Sequence, residues 1–316
     1  MPVLVTAVVA CALLGGTLRA AVYDSAALST AGTVFSGIFV QALPFLALGV
    51  VLSALIAVFV TTERLSRWLP RRPAAAVVAA AVSGAALPGC ECGSVPVARR
   101  MFGEGAVGAA ALTFMLAAPA INPVVVVSTV VAFPGQPQMV FARVGASLIT
   151  AIVMGLAWSR WGRIEWITRR LPRAVDGQGS RWHTFTEAAR HDFIQAASYL
   201  VIGAAAAAAL HVIVPDWVME HLAGQLLLGV LVMAILAVVL SLCSEADAFV
   251  AASLTMVPLV PRLVFLVVGP AVDLKLFAMQ TGMFGRAFAI RFAPATFVVA
   301  TAAATAIGVL VLGHGA

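Results

Sequence analysis

Residues 87–98 read LPGCECGSVPVA, two cysteines on either side of a glutamate, bracketed by Pro88–Gly89 and by Gly93 and Pro96. Thiols are soft ligands, suited to Cu(I), Zn or trivalent arsenic rather than to Mg or Ca. The spacing decides whether they act together. In an α-helix Cys90 and Cys92 point about 200° apart, whereas in extended backbone both face one side with Glu91 opposite. The helix breakers favour unwound backbone, so the stretch predicts two converging sulfurs. A disulfide between them is sterically poor at this spacing. Glu91 also has a simpler reading, as an acid at a half-helix N-terminus, where the helix dipole favours negative charge.

Four acids stand inside apolar runs: Glu91, Glu245, Asp247 and Asp273. The other nine, Asp192 among them, fall in loops or at run ends. The only lysine, Lys275, joins Asp273 in GPAVDLKLF. A charge at the bilayer centre costs at least ~2.5–3.5 kcal/mol, so such residues face a cavity, a partner or an ion path. Glu245 and Asp247, two apart, call for a cation, a proton or water between them. Asp273 and Lys275 read as an ion pair, or Lys275 as snorkelling to a membrane face. Pro119 and Pro270 mark helix breaks. Asn122, in PAINP, reads as satisfying carbonyls that the break leaves open, or as a contact to solute. Cys243 offers a third sulfur beside Cys90 and Cys92, and those three are the ligands if a metal binds. Cys11, without polar neighbours, reads as a small buried hydrophobe.

The elements that must position these groups are membrane helices. Of 316 residues, 62% are hydrophobic and only 10% charged, against roughly 25% charged in soluble domains. Several runs reach the ~20 residues that a helix needs to cross a bilayer. Helices satisfy their own backbone in lipid, and the alternating ten-residue segments of a membrane barrel are not seen. The chain is therefore expected to be an all-α polytopic membrane protein with about 8–9 hydrophobic segments: 3–18, 33–60, 74–98, 105–131, 139–158, 193–214, 225–256, 262–283 and 290–312. The first twenty residues lack a basic n-region and read as a retained helix.

The net charge of +6 is almost wholly arginine. It reports orientation in a cell membrane by the positive-inside rule, not a nucleic-acid partner. Arg64, Arg67, Arg71, Arg72, Arg99, Arg100 and the basic loop 159–191 mark the cytoplasmic side. Phe133–Met139 and Pro215–Gln225 carry no lysine or arginine and read as extracytoplasmic. Arginines on both sides of 74–98 predict that this run dips in and returns, and the same logic makes 225–256 a dip. The loop 159–191, with Trp161, Trp166 and Trp182, reads as an interfacial segment.

The halves echo each other. PFLALGVVLSALIAVFV (44–60) matches SYLVIGAAAAAALHVIV (198–214), pairing Gly49 with Gly203. LPGCECGSVPVA matches LSLCSEADAFVA (240–251), pairing Cys90 with Cys243. APAINPVVVVST (118–129) matches GPAVDLKLFAMQ (269–280), pairing Pro119 with Pro270. The plan is one membrane domain: an extra N-terminal helix (1–32), a first repeat (33–158), the basic loop (159–191) and a second repeat (192–312). Three crossings plus a dip is an odd number, so the repeats are expected to be inverted, an architecture in which transporters place broken helices around a midplane site.

PGCECGSVP, CSEADAF and GPAVDLK together resemble the ArsP-type predicted permeases, over roughly residues 33–312. The resemblance implies a multi-pass inner-membrane permease and, from characterised members, export of trivalent organoarsenicals. It carries Cys90, Cys92, Cys243, Glu245, Asp247 and Asp273 over as site positions. Without an ATP-binding GxxxxGK[ST] motif, transport would draw on an ion gradient or a separate partner. The expected reading is a secondary permease, not an enzyme, with no cofactor, working in the bilayer on a small-molecule or metalloid solute, with a homo-oligomer among the forms open to it. Cys90, Glu91, Cys92, Cys243, Glu245 and Asp247 would bind solute; Pro119, Asn122, Pro270, Asp273 and Lys275 would gate or couple. Rival readings are a carrier of a divalent metal such as zinc or of a sulfur-containing anion, and a membrane thiol-redox or assembly protein.

Overall fold

The structure, a computed structural model, describes residues 26–59, 70, 72–86, 91–102, 106–167, 181–213, 226–244, 246–255 and 257–313. Cys11, Cys90 and Glu245 lie outside these, as do the expected segment 3–18 and the loop 215–225. The described residues form helices and connections only. In order they are α1 (Ala26–Phe59), α2 (Pro73–Ser83), α3 (Glu91–Met101), α4 (Ala106–Ile121), α5 (Pro123–Ala132), α6 (Pro137–Trp161), α7 (Arg181–Ile213), α8 (Leu226–Leu240), α9 (Ala246–Ser253), α10 (Leu259–Ala271), α11 (Leu274–Met283) and α12 (Arg286–Val311). The protein is an all-α polytopic membrane protein. Among the described residues, five stretches are long and apolar enough to span: Leu28–Leu55, Val107–Ala132, Pro137–Trp161, Leu259–Met283 and Arg286–Val311.

The element order occurs twice. A long helix, two short helices, a helix broken near its middle and a second long helix run over 26–161 and again over 181–311. The two breaks share one device. Asn122 caps α5 by accepting from the Val125 N–H at 3.0 Å, with Pro123 at the first helical position. Asp273 caps α11 by accepting from the Leu276 N–H at 2.6 Å. Each cap satisfies an amide that the new helix start leaves open. The breaks thus fall three residues after Pro119 and Pro270, which themselves sit inside α4 and α10.

Neither 74–98 nor 225–256 is one helix; each is a pair of short ones. The expectation of extended backbone through the cysteine motif is corrected, because Glu91, Cys92, Gly93 and Pro96 are all helical. Proline removes only its own N–H from the ladder, and the Ser94 hydroxyl lies 3.1 Å from both the Glu91 and the Met115 carbonyls, tying this helix to α4. The basic loop is also shorter than expected. Residues 181–192 contain no breaker, and they continue into α7 as one helix of 33 residues.

In lipid, apolar burial does not drive helices together, so small residues that permit close approach matter. The matched glycines fill that role. A Cβ on Gly49 would collide with the backbone of Gly93 in α3, and one on Gly203 with the backbone of Lys275 in α11. The long helices α1 and α7, packed along each other, therefore seat the two short helices that carry the polar groups.

Candidate functional site

The site forms where α8 ends. Its last carbonyls have no intrahelical donor and the helix dipole makes them a place for a cation. Lys275, in the first turn of α11, supplies it. Its ammonium donates to the Ser241 carbonyl at 2.8 Å and the Leu242 carbonyl at 2.7 Å. The same nitrogen lies 2.6 Å from Glu91 Oε1 and 2.9 Å from Asp273 Oδ2. Glu91, Asp273 and Lys275 are each at most 1% exposed. Snorkelling is thereby excluded for Lys275, whose charge is met inside the protein. An isolated ammonium would cost several kcal/mol to bury; four oxygen partners offset that cost.

The connection after α8 is shaped for this grip. Ser241 adopts φ +48°, a left-handed conformation uncommon outside glycine. Its hydroxyl donates to the Val238 carbonyl at 2.9 Å and accepts from the Leu274 N–H at 3.1 Å, so it joins the end of α8 to the start of α11. Asp273 is committed twice: Oδ1 caps α11 while Oδ2 faces Lys275.

A second buried cation holds the far side of the same connection. Arg143 of α6, 1% exposed, donates to the Ser244 carbonyl at 2.8 Å and to the Thr129 hydroxyl at 2.7 Å. Asp247, in the first turn of α9 and also 1% exposed, lies within the fields of Arg143 and Lys275. Its Oδ2 uses the space left by the missing side chain of Gly269, where a Cβ would stand 2.6 Å away. Among the described residues that oxygen makes no hydrogen bond.

Cys92 adjoins Glu91 in α3, and Cys243 follows Leu242 in the connection. Both are buried in one core cluster and both stand close enough to Lys275 to interact with its charge. The structure thus gathers Glu91, Cys92, Cys243, Asp247, Asp273 and Lys275 into one buried neighbourhood, while Cys90 and Glu245 fall outside the described residues. The described residues contain no group of three His, Cys, Asp or Glu side chains able to hold a metal ion. The ammonium of Lys275 occupies the space between Glu91 and Asp273. Asn122 is engaged in its cap and donates to the Ala118 carbonyl at 3.0 Å.

Three carboxylates (Glu91, Asp247, Asp273) face two cations (Lys275, Arg143) among these buried residues. Fully ionised, the set carries one excess negative charge, which a proton or a cationic solute neutralises. Sequence reading missed Arg143, which stands four residues inside the run 139–158. The same scrutiny of basic residues as of acids within apolar runs would have found it.

The ArsP-type family, described as predicted permeases, matches residues 27–309. This chain belongs to that family. Two relatives are similar over most of their length. The UPF0718 protein YcgR of Bacillus subtilis is 34% identical over 262 residues, 81% of this chain and 89% of that protein. A putative two-component membrane permease complex subunit of Streptococcus mutans is 30% identical over 272 residues, 82% of this chain and 88% of that protein. No solved structure matches. Family membership and the spans together make this ArsP-type chain a membrane transport protein of the permease kind.

Proposed function

We propose that this ArsP-type permease exports a small, soft, thiol-reactive solute, with trivalent organoarsenicals as the substrate class that the family resemblance implies. The observation that carries the reading is the pair of buried thiols, Cys92 and Cys243, beside the Glu91–Lys275–Asp273 ion triad. Thiols bind trivalent arsenic by exchange: each As–S bond formed displaces a hydroxyl from arsenic, which leaves as water with the thiol proton. Cys90, in the same motif, is the third candidate sulfur. Glu245 and Asp247 carry the coupling proton or balance solute charge, consistent with the excess of buried carboxylates.

The two matched sets of elements act as inverted repeats, since α1, the α4–α5 helix and α6 give three crossings beside the short pair α2–α3. An odd number of crossings reverses the second set, and alternating access then follows from rocking one set against the other. The arginine-rich segments lie in the cytoplasm and the permease sits in the cell membrane. The test is growth of a transporter-deficient host on arsenicals, antimonite and zinc salts. Wild type is expected to protect against trivalent arsenicals and the Cys90→Ser, Cys92→Ser double variant to lose that protection. Equal protection by the double variant would sink the reading, and protection against zinc alone would transfer it to a divalent metal.

A second reading concerns assembly. The Streptococcus relative is described as a complex subunit, and this chain is read as working with a second membrane subunit. Purification from native membranes with one tagged copy would show a stoichiometric second polypeptide, and a single species would count against it.

A further inference from the structure

The short helices α3 and α11 are pinned together at both ends. At their N-terminal ends the pin is Glu91–Lys275 at 2.6 Å. Eight residues along α3, about 12 Å of helix, Arg99 donates to Gln195 of α7 at 2.7 Å. Gln195 in turn donates to the Gly282 carbonyl, seven residues along α11, at 2.9 Å. The two helices run side by side in one direction, one set by each repeat, with a polar rung at either end. Between the rungs Val95 and Met279 share one apolar core with Cys92.

Asp192 of α7 braces the α3 side of the outer rung. Its Oδ2 accepts from Arg100 at 2.8 Å and from the Ser53 hydroxyl of α1 at 2.7 Å. Its Oδ1 lies 3.9 Å from Arg99 and 3.5 Å from His191. Asp192, which the sequence places at the start of the second repeat, is 1% exposed. A single carboxylate thus serves two guanidinium groups and links α1, α3 and α7.

We infer that Asp192 is a gating residue: by holding Arg99 and Arg100 it keeps α3 against α7, whose Gln195 reaches α11, and so closes the seam between α3 and α11, sealing Cys92 and Glu91 from the membrane face on which α7 begins. The physical asymmetry of the rungs supports this. Arg100 at the outer rung retains contact with solvent, its side chain 11% exposed, so water can replace lost partners when the rung opens. At the inner rung both side chains are sealed, and separating them leaves uncompensated buried charges unless a proton or a solute charge takes one partner's place. The outer rung therefore opens first and the inner rung responds to what enters. This inference rests on the permease reading, but its test measures access rather than transport, so its failure leaves the choice of solute untouched.

The experiment labels Cys92 as the single cysteine, with Cys11, Cys90 and Cys243 replaced by serine. A membrane-impermeant maleimide is applied to right-side-out and to inverted vesicles without solute. Asp192→Asn is expected to raise the labelling rate on the order of tenfold from the face where α7 begins and not from the other. Asp192→Glu, which keeps the carboxylate, is expected to restore the background rate. An unchanged rate in Asp192→Asn overturns the gate. So does an equal rise from both faces with a lowered melting temperature, which would mark general loosening. Should Asp192→Asn not be recovered folded, Arg100→Gln decides on the same reading: a smaller, one-faced rise supports the gate and no rise overturns it.

Discussion

The breaks at Asn122 and Asp273 occupy the same place in the two sets of elements, 151 residues apart, and make the same cap, yet only one is charged. Asn122 uses a neutral amide whose two ends bond to Val125 and Ala118 of its own helix segments. Asp273 uses a carboxylate that caps with one oxygen and faces Lys275 with the other. A cap requires only an acceptor, which either residue supplies. The extra negative charge becomes tolerable only because Lys275 stands beside it, and Lys275 only because Glu91 and two carbonyls of the α8 end receive it. The doubled element order thus provides two matched scaffolds, and only one of them carries the buried charge.

The sharpest way to break this contrast is Lys275→Met. It leaves Glu91 and Asp273 facing each other in a sealed space and two carbonyls unpaired. Removing one partner of a buried pair costs about 3–5 kcal/mol, so the purified variant should unfold many degrees below wild type in detergent. A melting temperature matching wild type would show that the triad is not what holds the second break. Asp273→Asn makes the second break resemble the first. The cap acceptor remains and one charged partner of Lys275 is lost, an effect of about 2 kcal/mol on the scale of hydrogen bonds to charged groups. Transport should be lost although folded protein is recovered, as vesicle flux assays with the solute identified by the growth panel would show.

The matched glycines sharpen the comparison further. Gly49→Ala and Gly203→Ala each drive a Cβ into backbone, an overpacking expected to cost roughly 1–3 kcal/mol in either variant. Only Gly203→Ala pushes on Lys275, so thermal melting should report similar losses for both while flux falls further for Gly203→Ala. Equal flux in the two variants would remove the functional distinction. The smallest effect is expected for Asn122→Ala, which loses a cap worth about 1 kcal/mol. Its melting temperature should drop by the least of the set, with transport retained.

Much of this architecture was legible in the chain. Apolar runs reported the helices because a spanning helix must be lipid-compatible along its length. The recurrence of Gly49 and Gly203, and of Pro119 and Pro270, agrees with the doubled element order. Glu91, Asp247, Asp273 and Lys275 stood out because charge in an apolar run demands a partner. Three points were not legible. Pro88, Gly89, Gly93 and Pro96 suggested extended backbone, whereas residues 91–101 are helical because the Ser94 hydroxyl and tight packing against α1 hold them so. Arg143 escaped notice because a lone arginine near the start of a run looks like a terminus. Asp192, at the end of an apolar run, drew no attention because nothing local shows that Ser53, Arg99 and Arg100 converge on it.

Sequence alone determined that the protein is a helical membrane protein, that its chain breaks near Pro119 and Pro270 and which residues could not face lipid, since these follow from composition, period and local chemistry; its permease character came from the family resemblance. Tertiary structure decided the partners. Glu91 meets Lys275 from 184 positions away, Arg143 reaches the Ser244 carbonyl, and Asp192 gathers two arginines. A buried charge fixes that a partner must exist; only the packing of helices distant in the chain fixes which one it is.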